Sequence, residues 1–305
     1  MSSQDDNSHT LFPIRELCAR TQVNSVTLRA WERRYGLLKP KRTDKGHRLY
    51  TESDVKRVEH IVEWIGRGVP VSRVKALLDS PPEAARSDAE VKQLIEGDGS
   101  GWQNAIDTLC AAVLDMSSAK TEHCLNEHFL NYPAVTCHEK LLQPVFDSLQ
   151  TAPINLAAGA FLQSEIIRYV IPRTAAGKHT RGDTELQLIC GDNTPIWRLA
   201  LAALSLSDAD IRVQLINQPC SVNVWMELVR AGHHRTHLVF QDGIWRNEEN
   251  QRIRSLLSPT LWLCGAAPMT SELTACNEAQ HPHFYPTPEQ AVAAIMEQIK
   301  KRETT

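Results

Sequence analysis

The chain has 305 residues, 42% hydrophobic and 23% charged, a globular balance that excludes a largely disordered protein. No apolar run reaches the roughly 20 residues of a spanning helix, and polar Met1–Thr10 carries no secretory pattern, so a cytoplasmic protein is expected. The net charge of −3 is unevenly spread: residues 11–80 hold 15 Lys/Arg against 8 Asp/Glu, and the remainder 18 against 28, as in a nucleic-acid reader joined to an acidic regulatory body.

The basic segment opens with a short helix, Ile14–Arg20, whose Ile14, Leu17 and Cys18 share a face. Thr21–Asn24 has the length of a turn, and Asn24 or Ser25 can cap a second helix over Val26–Arg34. On that helix Leu28, Trp31 and Tyr35 form one stripe. Ala30, Arg33 and Arg34 lie opposite, flanked by Thr27 and Arg29. A small residue among arginines lets the helix approach a major groove, where guanidinium groups reach phosphates or guanine edges. This is a helix-turn-helix arrangement. Leu38–Arg42 and His47–Tyr50, joined through Thr43–Gly46, read as a wing. Its Lys41, Arg42, Lys45, His47 and Arg48 suit phosphate contacts. Thr51 with Asp54 makes a capping-box-like start for a helix with Val55, Val58, Val62 and Ile65 inside. Gly68-Val69-Pro70 ends it, and Ser72 begins a short helix containing Val74, Leu77 and Leu78.

After the Ser80-Pro81-Pro82 break the chain reads as helical, with segments at Glu83–Gly97, Trp102–Met116, Thr121–Tyr132, Val135–Leu149 and Leu156–Ile171. Short polar connections suit an antiparallel bundle. Beyond a glycine-punctuated stretch, strands at Glu185–Cys190, Arg212–Ile216, Leu238–Gln241, Leu261–Cys264 and His283–Tyr285 alternate with helices. That alternation implies a parallel sheet covered on both faces, of flavodoxin-like type. The expected fold is a multidomain α+β chain. It has an N-terminal winged helix-turn-helix over residues 11–79, a middle helical bundle over 80–178, and a C-terminal flavodoxin-type α/β domain over 183–305.

V-T-L-R-A-W-E-R-R-Y-G-L-L (Val26–Leu38), G-H-R-L-Y (Gly46–Tyr50) and G-V-P-V-S-R-V-K-A-L-L (Gly68–Leu78) follow one another in that order. Together they resemble the MerR-type winged helix-turn-helix family, in the branch that carries a cobalamin-binding-type C-terminal domain and includes biofilm regulators. The resemblance implies a homodimer on near-palindromic, double-stranded promoter DNA. Such a dimer distorts an overlong spacer so that RNA polymerase can use it, as an activator does. By motif position, Thr27, Arg29, Ala30, Trp31 and Arg33 face DNA from the recognition helix, and Arg42, His47, Arg48 and Tyr50 from the wing. The helical wheel places Trp31 on the buried stripe instead. The biofilm branch also implies cyclic-di-GMP signalling proteins as partners.

In the cobalamin-binding relatives the first βα loop carries D-x-H-x-x-G, whose His is the lower cobalt ligand. Here the loop runs Asp192-Asn193-Thr194-Pro195-Ile196-Trp197, with Thr194 in place of His and Trp197 in place of Gly. A hydroxyl is a poor cobalt ligand. The family's bundle carries a Trp and, some ten residues on, a Glu-His pair. Here Asn155 and Glu165-Ile166 stand there. The expectation is therefore a cobalamin-type fold without a cofactor, taking its input from a partner protein or another ligand. The alternative is a cobalamin-dependent light- or ligand-sensing repressor, and a cobalamin-type methyl-transfer enzyme is a more distant rival.

Other constellations read as structural. Asp192 and Asp242 end the first and third strands as a receiver's carboxylates would, but no Lys follows the fifth strand, and Asp242-Gly243 suits a turn. Cys124 with His128, Cys137-His138, and the His233, His234 and His237 group have metal-ligand chemistry at spacings that also suit packing. The eight cysteines form no CxxC pair, which favours free thiols. Neither GxGxxG, GxSxG nor HExxH occurs in the expected context, so no enzymatic activity is expected. Trp197, Trp225, Trp245 and Trp262 either fill the last domain's core, Trp197 in place of a corrin, or form a docking face.

Overall fold

The computed structural model describes residues 11–79, 101–150, 155–175, 185–192, 194–209, 211–273 and 283–304. The chain divides into two compact units, residues 1–165 and 166–305.

The first unit begins with β1 (Phe12–Pro13) and α1 (Ile14–Thr21). Gln22, in the left-handed region at φ 60°, turns the chain out of α1. Asn24 then caps α2 (Ser25–Ala30), its Oδ1 accepting the Thr27 N–H at 2.7 Å. The helix does not stop at Ala30. It widens into a π-helical turn, Trp31–Tyr35, and closes at Gly36, whose φ of 60° is one that glycine adopts without strain. β2 (Lys41–Arg42) and β3 (Arg48–Tyr50) form the wing. β1 joins β3 on its other side, so the sheet has three antiparallel strands in the order β1-β3-β2. α3 (Glu52–Gly66) opens as its sequence suggests, with the Thr51 N–H donating to Asp54 Oδ2 at 2.8 Å. α4 (Val71–Leu78) follows. Leu17, Leu28, Trp31, Tyr50, Ile61 and Ile65 are fully buried in one core that ties these elements together.

The expected helix over 83–97 lies outside the described residues. The bundle helices that are described are α5 (Gly101–Leu114), α6 (Ser118–Asn131), α7 over residues 134–149, and α8 (Leu156–Ala175), within which the division between the units falls. α7 widens into a π-helical segment at His138–Leu142, just before Pro144. Proline has no N–H to return to the preceding turn, and a local widening absorbs the gap in the ladder.

The second unit is built on β4 (Glu185–Gly191), β5 (Arg212–Cys220), β6 (Thr236–Phe240), β7 (Leu261–Cys264) and β8 (Phe284–Tyr285). All pair in parallel, in the order β5-β4-β6-β7-β8. That order is the flavodoxin-like one. α9 (Ile196–Asp208) and α13 (Pro288–Thr304) cover one face, through residues such as Leu199, Leu206 and Ile295. α10 (Val222–Ala231) and α11 (Asn247–Arg254) cover the other, through Trp225, Met226 and Ile253, and the short α12 (Ala266–Thr270) follows β7. Burial on both faces is what the apolar run of β7 and the Leu238–Phe240 stretch of β6 require. Among the described residues no helix is long and apolar enough to cross a membrane.

Candidate nucleic-acid interface

α2 and its π-helical continuation divide their side chains sharply. Arg29 and Arg33 are exposed and Ala30 is half-buried beside them, and among the described residues neither arginine has an ion-pair partner. Thr27, Leu28 and Trp31 are fully buried on the opposite side. The motif places Thr27 and Trp31 toward DNA, but the structure turns both inward. Val26, exposed at the start of the helix, stands three, four and seven residues before Arg29, Ala30 and Arg33, which puts it on their face. From the sequence it is assigned to neither the buried stripe nor the arginine face. Its distance of one helical repeat from Arg33 is the signal that places it outside.

The wing is held by one carboxylate. Glu32 accepts from Arg48 through Nε and, at 3.2 Å, through Nη2, and from Arg42 Nη2 at 2.9 Å. Burial on its own would raise the Glu32 carboxyl. The hydrogen bonds and charges of Arg48, and then of Arg42, outweigh it and hold the group below its ordinary range. Arg48 is correspondingly pushed up, first by its hydrogen bond to Glu32. The tip of the wing is fixed by backbone bonds, Thr43 N–H to His47 O at 2.9 Å and Gly46 N–H to Thr43 O at 2.7 Å. There Lys41, Arg42 and Lys45 are exposed, with Asp44 and His47 exposed beside them, so cations outnumber the one acid at the tip. Tyr50, the last wing residue the motif assigns to DNA, is fully buried, and burial pushes its hydroxyl up to about 12.

The α2 segment and its π-helical continuation are also tied to the bundle. Trp31 Nε1 donates to the Asn131 carbonyl at 2.8 Å, from a position 100 residues away in the chain. Asn131 Oδ1 lies 3.4 Å from both Arg34 Nη1 and Tyr35 Oη, and its Nδ2 donates to Glu127 O at 2.7 Å. Next to it Tyr132 packs against the winged-helix core. Burial pushes the Tyr132 hydroxyl up to about 12, and a bond from the Val71 backbone partly offsets this. Trp102 tilts over Tyr132 with ring centroids 4.7 Å apart. The end of α6 thus contacts the recognition helix through Asn131, and Tyr132 just beyond it packs on the winged-helix core.

Residues 12–81 match the family described as MerR HTH family regulatory protein. The chain is 34% identical over 190 residues to the HTH-type transcriptional regulator MlrA of Escherichia coli K12, covering 61% of this chain and 73% of that one. The chain belongs to the MerR family of helix-turn-helix transcription regulators. It is also 24% identical over 205 residues to the HTH-type transcriptional repressor CarH of Myxococcus xanthus, covering 64% and 67% of the two chains. A solved monomethylamine corrinoid protein of Methanosarcina barkeri superposes at a TM-score of 0.45 with 13% identity, covering 64% of this chain and 98% of that one.

The loop motif compared in the sequence sets the test for cobalamin in this MerR regulator. In a doubly wound sheet a ligand enters the crevice outside the carboxyl ends of the strands, where the strand order reverses. Here that point lies between β4 and β6, and Gln241 occupies it. A Cβ on Gly191 would stand 1.9 Å from Gln241 Oε1, so the side chain lies directly on the β4 backbone. Gln241 Nε2 donates to the carbonyls of Asp192 at 2.8 Å and Asp242 at 3.0 Å. Thr194, at the ligand-His position, is buried. Its hydroxyl donates to Asp192 O at 2.9 Å and accepts the Asp242 N–H at 3.1 Å. Trp197 is buried where the motif has its glycine. In the bundle Glu165 accepts a bond from Ser118 Oγ at 3.0 Å. These residues do not fit a corrin with an imidazole lower ligand. Gln241 Nε2 and the Thr194 hydroxyl are taken up by loop backbone groups, and Gln241 Oε1 is buried at the crevice without a hydrogen-bond partner among the described residues.

The remaining sequence candidates have structural roles. Asp242 Oδ1 accepts the Ala266 N–H at 3.0 Å, which ties the β6 loop to α12. His128 Nδ1 bonds to the Cys124 carbonyl at 2.8 Å, Cys137 is fully buried, and buried His237 sits between Gln187 Oε1 at 3.1 Å and Gly232 O at 2.8 Å. Among the described residues no three metal-binding side chains converge. Trp197, Trp225, Trp245 and Trp262 are all buried, which removes them from any docking face and places them in the core.

Proposed function

We propose that this regulator binds near-palindromic promoter DNA as a homodimer, laying Arg29, Ala30 and Arg33 in the major groove and the wing cations on the flanking backbone. The observation that carries the reading is the exposed, unpaired Arg29 and Arg33 on one face of a capped, buried-backed helix, beside a wing rich in cations. A helix-turn-helix dimer reads half-sites about one helical turn apart, so operator symmetry should mirror protein symmetry. Acting with RNA polymerase, the dimer activates transcription by deforming the promoter spacer, a deformation whose energetic cost the phosphate contacts offset. His47 and the exposed side of Arg42 serve as such contacts, with Arg48 held in reserve on Glu32.

The C-terminal half works as an effector domain without cobalamin, and its input comes from a partner protein or a different ligand. The biofilm setting and cyclic-di-GMP signalling partners follow the likeness to MlrA-type regulators. Selection of duplexes by the full-length protein from a randomised pool tests the reading. A two-fold symmetric site should enrich, and its affinity should fall steeply with salt. Failure to enrich any duplex even in dilute buffer would overturn it.

A further inference from the structure

We infer that Val26 reads a thymine in each operator half-site through the C5-methyl group of the base. The inference rests on the DNA-reading role proposed above and adds to it the identity of one base.

Val26 is 49% exposed; within residues 11–79 the other exposed large hydrophobic side chain is Leu11, which precedes β1 and is not on the recognition helix. It lies in the first turn of α2, the part of a recognition helix that reaches base edges. It also shares its face with Arg29, Ala30 and Arg33, while Thr27 and Leu28 beside it are buried. The face therefore presents two methyl groups followed by two cations, with a small residue between them that permits close approach. Folding does not call for valine here. A β-branched residue is a poorer helix former than alanine, and this one packs into no core.

The chemistry then selects the base. Arginines on this face suit phosphates or the O6 and N7 of guanine. Valine has neither donor nor acceptor. The one apolar group on the edges of the major groove is the thymine methyl, and against a cytosine amine or a purine edge Val26 would cover polar atoms without replacing their water.

The test uses the full-length protein and the duplex enriched from the random pool, with each thymine of a half-site replaced in turn by deoxyuridine. That exchange removes one methyl and leaves every hydrogen-bonding group in place. One position per half-site should weaken binding by about fourfold, the factor for one buried methyl group. Val26→Ala should bind the thymine duplex more weakly by a similar factor and should no longer distinguish thymine from uracil at that position. Val26→Thr, nearly the same shape, keeps the helix and should lose part of the preference, which controls for any folding defect in Val26→Ala. The inference is overturned if the wild type is insensitive to uracil throughout the half-site, or if Val26→Ala stays as sensitive as the wild type. Failure of the wild type to enrich any duplex is a different result, and it would remove the DNA-reading role itself.

Discussion

Exchanging Glu32 for glutamine tests whether charge holds the wing to the recognition helix. Glu32 takes two bonds from Arg48, and the side chains of this pair are only 13% and 15% exposed. Losing a charge-assisted bond of that kind costs about 1.5–3 kcal/mol. The Arg42 arm is half-exposed, and solvent screening limits it to about 0.2–1 kcal/mol. Glutamine keeps one acceptor but turns an amide donor toward the guanidinium fork, so a loss of about 2–3 kcal/mol is expected. The assay is amide hydrogen exchange of the wing, which reads local opening even in a chain of two units. Exchange over residues 41–50 should quicken roughly 30- to 150-fold at neutral pH, a tenfold change for each 1.4 kcal/mol or so. The pH dependence has a definite sign. The folded carboxyl lies below its unfolded value of 4.5, so its contribution is fully present above that pH and is lost as pH falls through the folded value. Corrected for intrinsic exchange, the gap between wild type and Glu32→Gln should close in acid. An unchanged wing at neutral pH, or a gap that survives protonation, would refute the argument.

Three further outcomes follow from the same geometry. Arg29→Ala and Arg33→Ala should each flatten the log–log salt dependence of operator binding by about 0.9 where the side chain meets a phosphate. If both variants keep the wild-type slope and the wild-type sequence preference, that face does not touch DNA. Trp31→Phe leaves the Asn131 carbonyl buried without its donor and should lower stability by about 1–3 kcal/mol in thermal melts, and an unchanged melt would mean the carbonyl finds another partner. Gly191→Ala drives a methyl into Gln241 and breaks its two bonds to the loop carbonyls, a loss of about 1–3 kcal/mol. Gly191→Ala combined with Gln241→Ala should recover part of that loss, and a double variant no more stable than the first would show that the two residues do not collide.

What was readable in the chain was what short-range chemistry controls. Asn24 announces the start of the recognition helix and Thr51 with Asp54 that of α3, because a cap needs only residues within one turn. The parallel strands were visible because burial on both faces leaves unbroken apolar runs, as in Leu261–Cys264. The strand bounds are less legible, and β5 departs furthest from what periodicity suggests. β5 runs on to Cys220 past polar Asn217 and Gln218, since an edge strand does not need an apolar face. The inward turn of Thr27 was hidden because it sits among DNA-facing neighbours in the motif. That of Trp31 is half visible: the helical wheel places it inside, but its partner carbonyl comes from Asn131, which no local pattern connects to it. Glu32 gave no warning either, since a single acid among arginines reads as surface until the wing folds back onto it.

The bond from Trp31 to Asn131 bears on how such regulators can be recombined. A chimaera cut after residue 79 would carry away the indole and leave behind its acceptor, together with Tyr132. The exposed hole would have to be filled by whatever new sensor was grafted on. The transplantable piece is therefore the chain from the winged helix through Tyr132, and any graft that respects this seam should keep its reader upright.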